Sequence, residues 1–305
     1  MISIIICTYN REKYLYDALE RIATNNFSKE KYEIVLIDNN STDSTPTLCR
    51  RFHEQYADVA FRYFVETKQG LSHARNRGIE EAQGDIVVFL DDDSFIAPDY
   101  LSNLQSHFDN LPQMMAFGGK ITPLFEDGKE PAWLCNWTYS WVSAIDMGDN
   151  VSEFPQSKYP IGANMGFRKS CLDQIGMFNT QLGRSKKNLM GGEEKDIFNR
   201  VHDLGQKIYY LPDIHVQHVI PPHRTTLEYI TKLGLGVGMS EQLRCRNIGK
   251  GKLAKRIISE FVKWGATFLI GAIYLLRGRP AVGSALIKFR TNVTKGLFTT
   301  VDNIQ

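Results

Sequence analysis

Residues 85–93 read Asp-Ile-Val-Val-Phe-Leu-Asp-Asp-Asp, five apolar residues in a row followed at once by three carboxylates. An uninterrupted run of β-branched and aromatic residues predicts a strand covered on both faces, as in a parallel sheet flanked by helices. The carboxylates then fall at the C-terminal tip of that strand, and in open α/β sheets the crevice outside those tips is where ligands bind. Three adjacent like charges repel, so ionising all of them calls for a nearby cation. Mg²⁺ and Mn²⁺ take oxygen ligands and often share them with nucleotide phosphates. The other reading is a solvated acidic turn capping the helix that follows.

The chain around this stretch repeats the same rhythm. Residues 2–7 form a strand that exits into Thr8-Tyr9-Asn10-Arg11, and helical spacing follows at Tyr14, Leu15, Ala18, Leu19 and Ile22. Strands are expected at 33–37, ending in Asp38, and at 61–65; a helix opened by Gly70 and containing Arg75 runs into the strand at 85. Strands alternating with helices imply right-handed crossovers and a Rossmann-like, doubly wound, mostly parallel α/β sheet.

After Pro98 the pattern loosens. A helix near 99–109 and a strand near 114–119 lead into an irregular stretch with Trp133, Trp137 and Trp141, whose spacing of four predicts one helical face, either core or a sugar-stacking wall. Residues 159–168 return to the sheet with small side chains that let a ligand come close. A basic loop (Arg184, Lys186, Lys187) precedes Gly191-Gly192-Glu193-Glu194, which opens a helix. Acids in a first turn are also what the helix dipole favours without any catalytic role. Strands at 207–211 and 214–219 carry His215 and His218, each a packed residue or a ligand.

Composition narrows the class. With 43% hydrophobic and 23% charged residues in 305, the chain is globular, not disordered. Five cysteines without a Cys-x-x-Cys pair suggest neither a disulfide framework nor a zinc cage, and fit a reducing cytoplasm. The opening residues read as a strand, not a signal peptide. A net charge of +2 hides a division: from Arg246 onward eleven Lys or Arg face two acids, leaving the body acidic. That tail contains the most apolar stretch, 261–276, which is short for a bilayer crossing of roughly 20 residues and is interrupted by Lys263. Basic clusters around an apolar helix suggest helices lying on an anionic membrane face. A buried helix or a dimer interface is the other reading, and the interleaving of charge with apolar residues argues against nucleic acid.

The order of these motifs resembles the family 2 glycosyltransferases, inverting enzymes with the GT-A fold. The landmarks are Thr8-Tyr9-Asn10-Arg11, Asp38, Gly70 with Ala74-Arg75-Asn76, Asp91-Asp92-Asp93, Gly192-Glu193-Glu194 and His218. The resemblance implies a GT-A domain over 1–222, with a nucleotide-sugar half at 1–120 and an acceptor half at 121–222, and a basic helical extension over 223–305. It implies that Asp38 meets the base, with Thr8, Tyr9, Asn10, Arg11 and Gly70 shaping the base and ribose pocket. Asp91 and Asp92 would face the donor, with Arg75 adding a positive contact, and Asp91, Asp93 and His218 would hold Mn²⁺ or Mg²⁺ on the diphosphate of a nucleotide sugar. Glu194, with Glu193 beside it, would be the general base for a hydroxyl of a glycan or lipid-linked acceptor. The family usually carries Glu-Asp at this pair, so Glu194 adds a methylene. The competing classes are a nucleotidyltransferase, which usually has a Gly-rich phosphate loop after the first strand, and a non-catalytic sugar-nucleotide-binding membrane scaffold.

Overall fold

The computed structural model describes residues 1–184 and 189–299; Lys186 and Lys187 of the basic loop, and Asp302 in the tail, lie outside the described residues. Two compact units are interleaved in sequence. The first comprises Met1–Pro123, Ser143–Gln181 and Glu193–Val219, the second Leu124–Val142, Leu182–Gly192 and Ile220–Gln305.

In chain order the strands are β1 (Ile2–Thr8), β2 (Tyr32–Asp38), β3 (Phe61–Val65), β4 (Ile86–Asp91), β5 (Ser94–Ile96), β6 (Ala116–Phe125), β7 (Ser152–Glu153), β8 (Asn164–Arg168) and β9 (Ile208–Ile220). The helices are α1 (Glu12–Ala23), α2 (Thr45–Gln55), α3 (Leu71–Glu81), α4 (Tyr100–Asn110), α5 (Lys169–Ile175), α6 (Glu193–Asp203), α7 (Leu227–Ile248), α8 (Lys250–Leu276) and α9 (Pro280–Phe298). The sheet runs β3-β2-β1-β4-β8-β6-β9-β5, with β7 on β9. Its first four strands are parallel, as the helical crossovers require. The pairs β4–β8, β6–β8 and β5–β9 are antiparallel, so the parallel character stops at β4. β8 is reached through the irregular stretch and not through a helix, and nothing forces it parallel.

Alternation along the strands builds a core on each face. Ile4 and Ile6 point to the side of Leu15, Leu19, Phe52 and Leu104, whereas Ile5 and Val35 point to the side of Ala74, Ile79, Ile197 and Phe198. Every residue of β2 is buried. The apolar run at 86–90 is therefore a central strand, and its three acids emerge at a sheet edge.

The second unit departs from expectation in two places. The tryptophans do not share a helical face: only a 3₁₀ turn forms, at Tyr139–Val142, because Thr138 Oγ1 accepts from the Cys135 N–H and closes a local turn instead. Trp133 and Trp141 are buried 5.6 Å apart and Trp141 stacks on Phe289, while Trp137 is exposed. The apolar tail stretch belongs to a helix of 27 residues, and the segment Gly251–Leu276, whose most apolar 18-residue window is only 17% buried, is long and apolar enough to cross a membrane by length and composition.

Candidate active site

The strand register gathers the site. Thr8, the last residue of β1, pairs with Asp38 of β2 on one side, and its neighbour Cys7 pairs with Asp91 of β4 on the other. Asp38 and Asp91 thus end at the same sheet edge. The chain then turns through Asp92 and Asp93 into β5, where Ser94 pairs with His218 of β9 and the Val219 N–H donates to the Asp93 carbonyl. That antiparallel pairing places His218 against the triple acid, a juxtaposition across more than a hundred residues.

His218 Nε2 lies 3.0 Å from Asp93 Oδ1 and 4.0 Å from Asp91 Oδ2. One donor atom from each of Asp91, Asp93 and His218 falls within 4.8 Å of the others. Two carboxylate oxygens and an imidazole suit a hard or borderline divalent ion, and the three residues read from sequence as metal ligands are the three brought together. Asp93 and His218 are each 1% exposed, whereas Asp91 faces outward. Asp93 also uses Oδ2 to pair with Arg11, leaving Oδ1 on the His218 side.

Asp92 turns away from that trio. Thr8 Oγ1 donates to its Oδ2 at 2.7 Å and Arg11 Nε to its Oδ1 at 3.3 Å. Burial nevertheless pushes its carboxyl up to about 7, against the pull of Arg11. Thr8, Arg11 and Asp92 therefore form a brace beneath the acids, and in this arrangement Thr8 and Asp92 spend their polar atoms on each other.

Around the β2 tip, Asp38 is 1% exposed and takes hydrogen bonds from the Ser41 N–H (2.8 Å) and the Tyr63 hydroxyl (2.6 Å), one on each oxygen. Asn10, at φ 51°, accepts from the Thr42 N–H at 2.8 Å and so ties the β1 loop to the β2 loop; Tyr9 beside it is half-buried. Gly70 takes φ 139°, which favours glycine, and its N–H donates to Asn39 Oδ1. Tyr63 and Asn39 are contributors the sequence reading overlooked. Asn39, next to Asp38, also donates to the carbonyls of Glu66 and Lys68 and could have been suspected; Tyr63 carried no signal beyond its place in a strand.

Arg75 links the metal-ligand candidates to α6. It is 2% exposed; Nη1 lies 3.0 Å from Glu193 Oε1 and 3.4 Å from Glu194 Oε1, while Nη2 lies 4.0 Å from Asp91 Oδ1. A Cβ built on Gly162 would fall 1.9 Å from Arg75 Nη2, so the small residue at 162 makes room for the arginine rather than for a ligand. Glu193 is fully buried, and burial together with the Glu194 charge outweighs Arg75 and raises its carboxyl to about 8. Glu194 is the more open of the two, its side chain 16% exposed against 2% for Glu193. His215 stands apart, hydrogen-bonded to Thr122 Oγ1 at 2.7 Å.

Known proteins resemble this chain in sequence and fold. Glucosyl-dolichyl phosphate glucuronosyltransferase of Haloferax volcanii is 22% identical over 247 residues, 79% of this chain and 76% of its own length. Among solved structures, the mannosyltransferase PcManGT of Pyrobaculum calidifontis in complex with GDP-Man and Mn²⁺ superposes with a TM-score of 0.64 at 20% identity, over 97% of this chain and 87% of that one. Staphylococcus aureus TarS in complex with UDP-GlcNAc gives 0.58 at 17% identity, over 97% and 91%. Both share the GT-A fold with its helical extension. Residues 3–176, more than half of the chain, match the family described as Glycosyl transferase family 2. The chain belongs to that family, and it is a glycosyltransferase.

Proposed function

We propose that the chain transfers a glycosyl group, with inversion at the anomeric carbon, from a nucleotide diphosphate sugar to a hydroxyl of a glycan or lipid-linked acceptor. A UDP-sugar is favoured, because a carboxylate at the position of Asp38 offers an acceptor to the imide N–H of uracil. Tyr9, Asn10 and Gly70 frame the base and ribose and Asp91 borders the diphosphate, while Thr8, Arg11 and Asp92 support that pocket from beneath. Asp91, Asp93 and His218 would hold Mn²⁺ or Mg²⁺, and such an ion neutralises the charge that builds on a departing diphosphate.

Glu194 takes the proton of the attacking hydroxyl. As that oxygen bonds to the anomeric carbon, the bond from carbon to phosphate oxygen breaks on the opposite face and its electron pair leaves with the nucleoside diphosphate. Arg75 orients Glu194 from below, and Glu193 backs it as a buried neighbour. The observation that carries this reading is the reach of Arg75, which touches Glu194 at 3.4 Å and Asp91 at 4.0 Å and so brings a donor-side acid and an acceptor-side acid to one guanidinium. Solved neighbours described with GDP-Man and Mn²⁺ and with UDP-GlcNAc, and a relative named for a dolichyl phosphate glycan, support nucleotide-sugar and lipid-linked chemistry. Five free cysteines fit work in the cytoplasm, at the inner face of the membrane.

The test pairs binding with stereochemistry. UDP-sugars with Mn²⁺ should raise the melting temperature, since a ligand that binds only the folded state stabilises it. NMR of the product should show the opposite anomeric configuration to the donor; retained configuration removes the in-line mechanism and Glu194 with it.

A further inference from the structure

A helix in a water-soluble fold normally buries an apolar stripe and shows water a polar one. α8 exposes an apolar stripe besides the one it buries: Leu253, Ile257 and Trp264 are half-buried toward its neighbours, with Trp264 Nε1 donating to Thr294 Oγ1 at 3.0 Å. Its inward side carries Glu260, 3% exposed and ion-paired with Arg256 at 2.5 Å and Arg290 at 2.9 Å. Thr267 is also buried there, and Gly271 lies so close to Gly283 of α9 that a Cβ on Gly283 would come within 3.1 Å of it. Its outward side carries Ile258, Phe261, Val262, Phe268, Leu269 and Leu276, each between 55% and 89% exposed. At about 100° per residue these six fall within about 120° of arc, one continuous stripe about 27 Å long. Exposed Lys255 borders it, exposed Lys252 and Lys263 lie on the flank beyond that edge, and exposed Arg277 and Arg279 follow its end.

We infer that the outward stripe of α8 is a membrane-docking face that lies in the plane of an anionic bilayer, its apolar side chains at the boundary of headgroups and acyl chains and its lysines among the phosphates. An exposed apolar patch of this extent marks an interaction site. The basic rim selects a negatively charged partner. A second copy of the chain seated on the same stripe would bring these lysines against their equivalents. A span across the bilayer would carry the ion-paired side of α8, with Arg256, Glu260 and Arg290, into hydrocarbon, which costs far more than an in-plane pose. The inference deepens the lipid-linked reading above and rests on it only for what the membrane supplies.

The full chain should co-sediment with vesicles containing phosphatidylglycerol, bind less in high salt, and bind pure phosphatidylcholine more weakly. The triple variant Phe261→Ser, Phe268→Ser, Leu269→Ser should keep its melting temperature, since these side chains face outward, and lose roughly 10²-fold or more in vesicle partitioning. Lys252→Glu with Lys255→Glu should abolish the preference for the anionic lipid. Binding of the triple variant equal to the parent's overturns the assignment. So does a parent that fails to bind vesicles and elutes as a dimer which the triple variant splits, since that gives the stripe to a second copy. Release by alkaline carbonate supports the in-plane pose, and retention overturns it in favour of a span. Sugar-nucleotide hydrolysis without vesicles is measured alongside. If hydrolysis is absent while vesicle binding persists, the proposed sugar-nucleotide donor alone falls; if hydrolysis persists without binding, the docking face alone falls.

Discussion

Each of the two units contains a buried cluster of charge, and the clusters are balanced in opposite ways. In the cluster of the helical unit the two carboxylates are each bracketed by two arginines: Glu241 by Arg244 and Arg256 at 3.2 and 3.1 Å, Glu260 by Arg256 and Arg290. In the cluster of the sheet unit the two arginines are bracketed by carboxylates: Arg11 by Asp92 and Asp93, Arg75 by Asp91, Glu193 and Glu194. A carboxylate between two guanidiniums has its charge satisfied inside the fold and nothing to offer a ligand. Carboxylates that outnumber the arginines they surround keep negative charge for a cation and basicity for a proton. The first cluster should therefore matter to stability and the second to turnover.

The sharpest way to break that division is Glu194→Gln, which keeps shape and removes the basic oxygen. Turnover should fall by roughly 10² to 10⁴ while donor binding persists, which initial rates and a donor titration would read; unchanged turnover would move the base elsewhere. Glu260→Gln is the counterpart. It takes from Arg290 its buried carboxylate and from Arg256 one of two, and breaking such a pair costs about 3–5 kcal/mol, so thermal melting should drop sharply while sugar-nucleotide hydrolysis by the folded fraction stays at the parent rate. If instead hydrolysis falls and the melt is unmoved, the two clusters have been assigned the wrong way round. Asp93→Asn should weaken Mn²⁺ binding by about tenfold or more, seen by calorimetry without any substrate, and should cost little stability because a repelling charge goes with it. An unchanged titration would exclude the Asp91–Asp93–His218 trio as the metal site.

How far the sequence revealed this contrast depends on whether its signals were local. The run at 86–90 ending in acids, the polar tips of β1 and β2 and the acidic start of α6 are each contiguous, and the topological rule that strand tips share an edge was enough to join them. His218 was placed through the family resemblance and a strand expected at 214–219; its antiparallel pairing with β5 was not foreseen. What stayed hidden is held by partners remote in sequence. The Tyr63 hydroxyl on Asp38 and the Arg75 guanidinium over Gly162 are contacts no periodicity encodes. The tryptophan spacing suggested a helix that a single threonine turn replaces. Along the tail, Lys250–Leu276 is one helix, but the apolar window 261–276 hid its first turns, where Arg256 and Glu260 face inward onto Glu241 and Arg290 while Lys252 and Lys255 stay exposed.

The smallest effect tests the sheet-unit cluster through protons. Glu193 titrates near 4.5 when unfolded and is raised to about 8 by burial and by Glu194, against Arg75. Between those two values the folded chain holds a proton that the unfolded chain has released, so stability contributed at this site is present below about pH 4.5 and lost as pH rises through about 8. Glu193→Gln mimics the protonated form at every pH. It should melt like the parent near pH 5 and above the parent at pH 8.5, flattening the decline of melting temperature with pH, and it should leave Glu194 in place to do its chemistry. A parallel decline in both proteins would mean that Arg75 holds Glu193 as a carboxylate, and the sheet unit would then resemble the helical one more closely than the arrangement of charges implies.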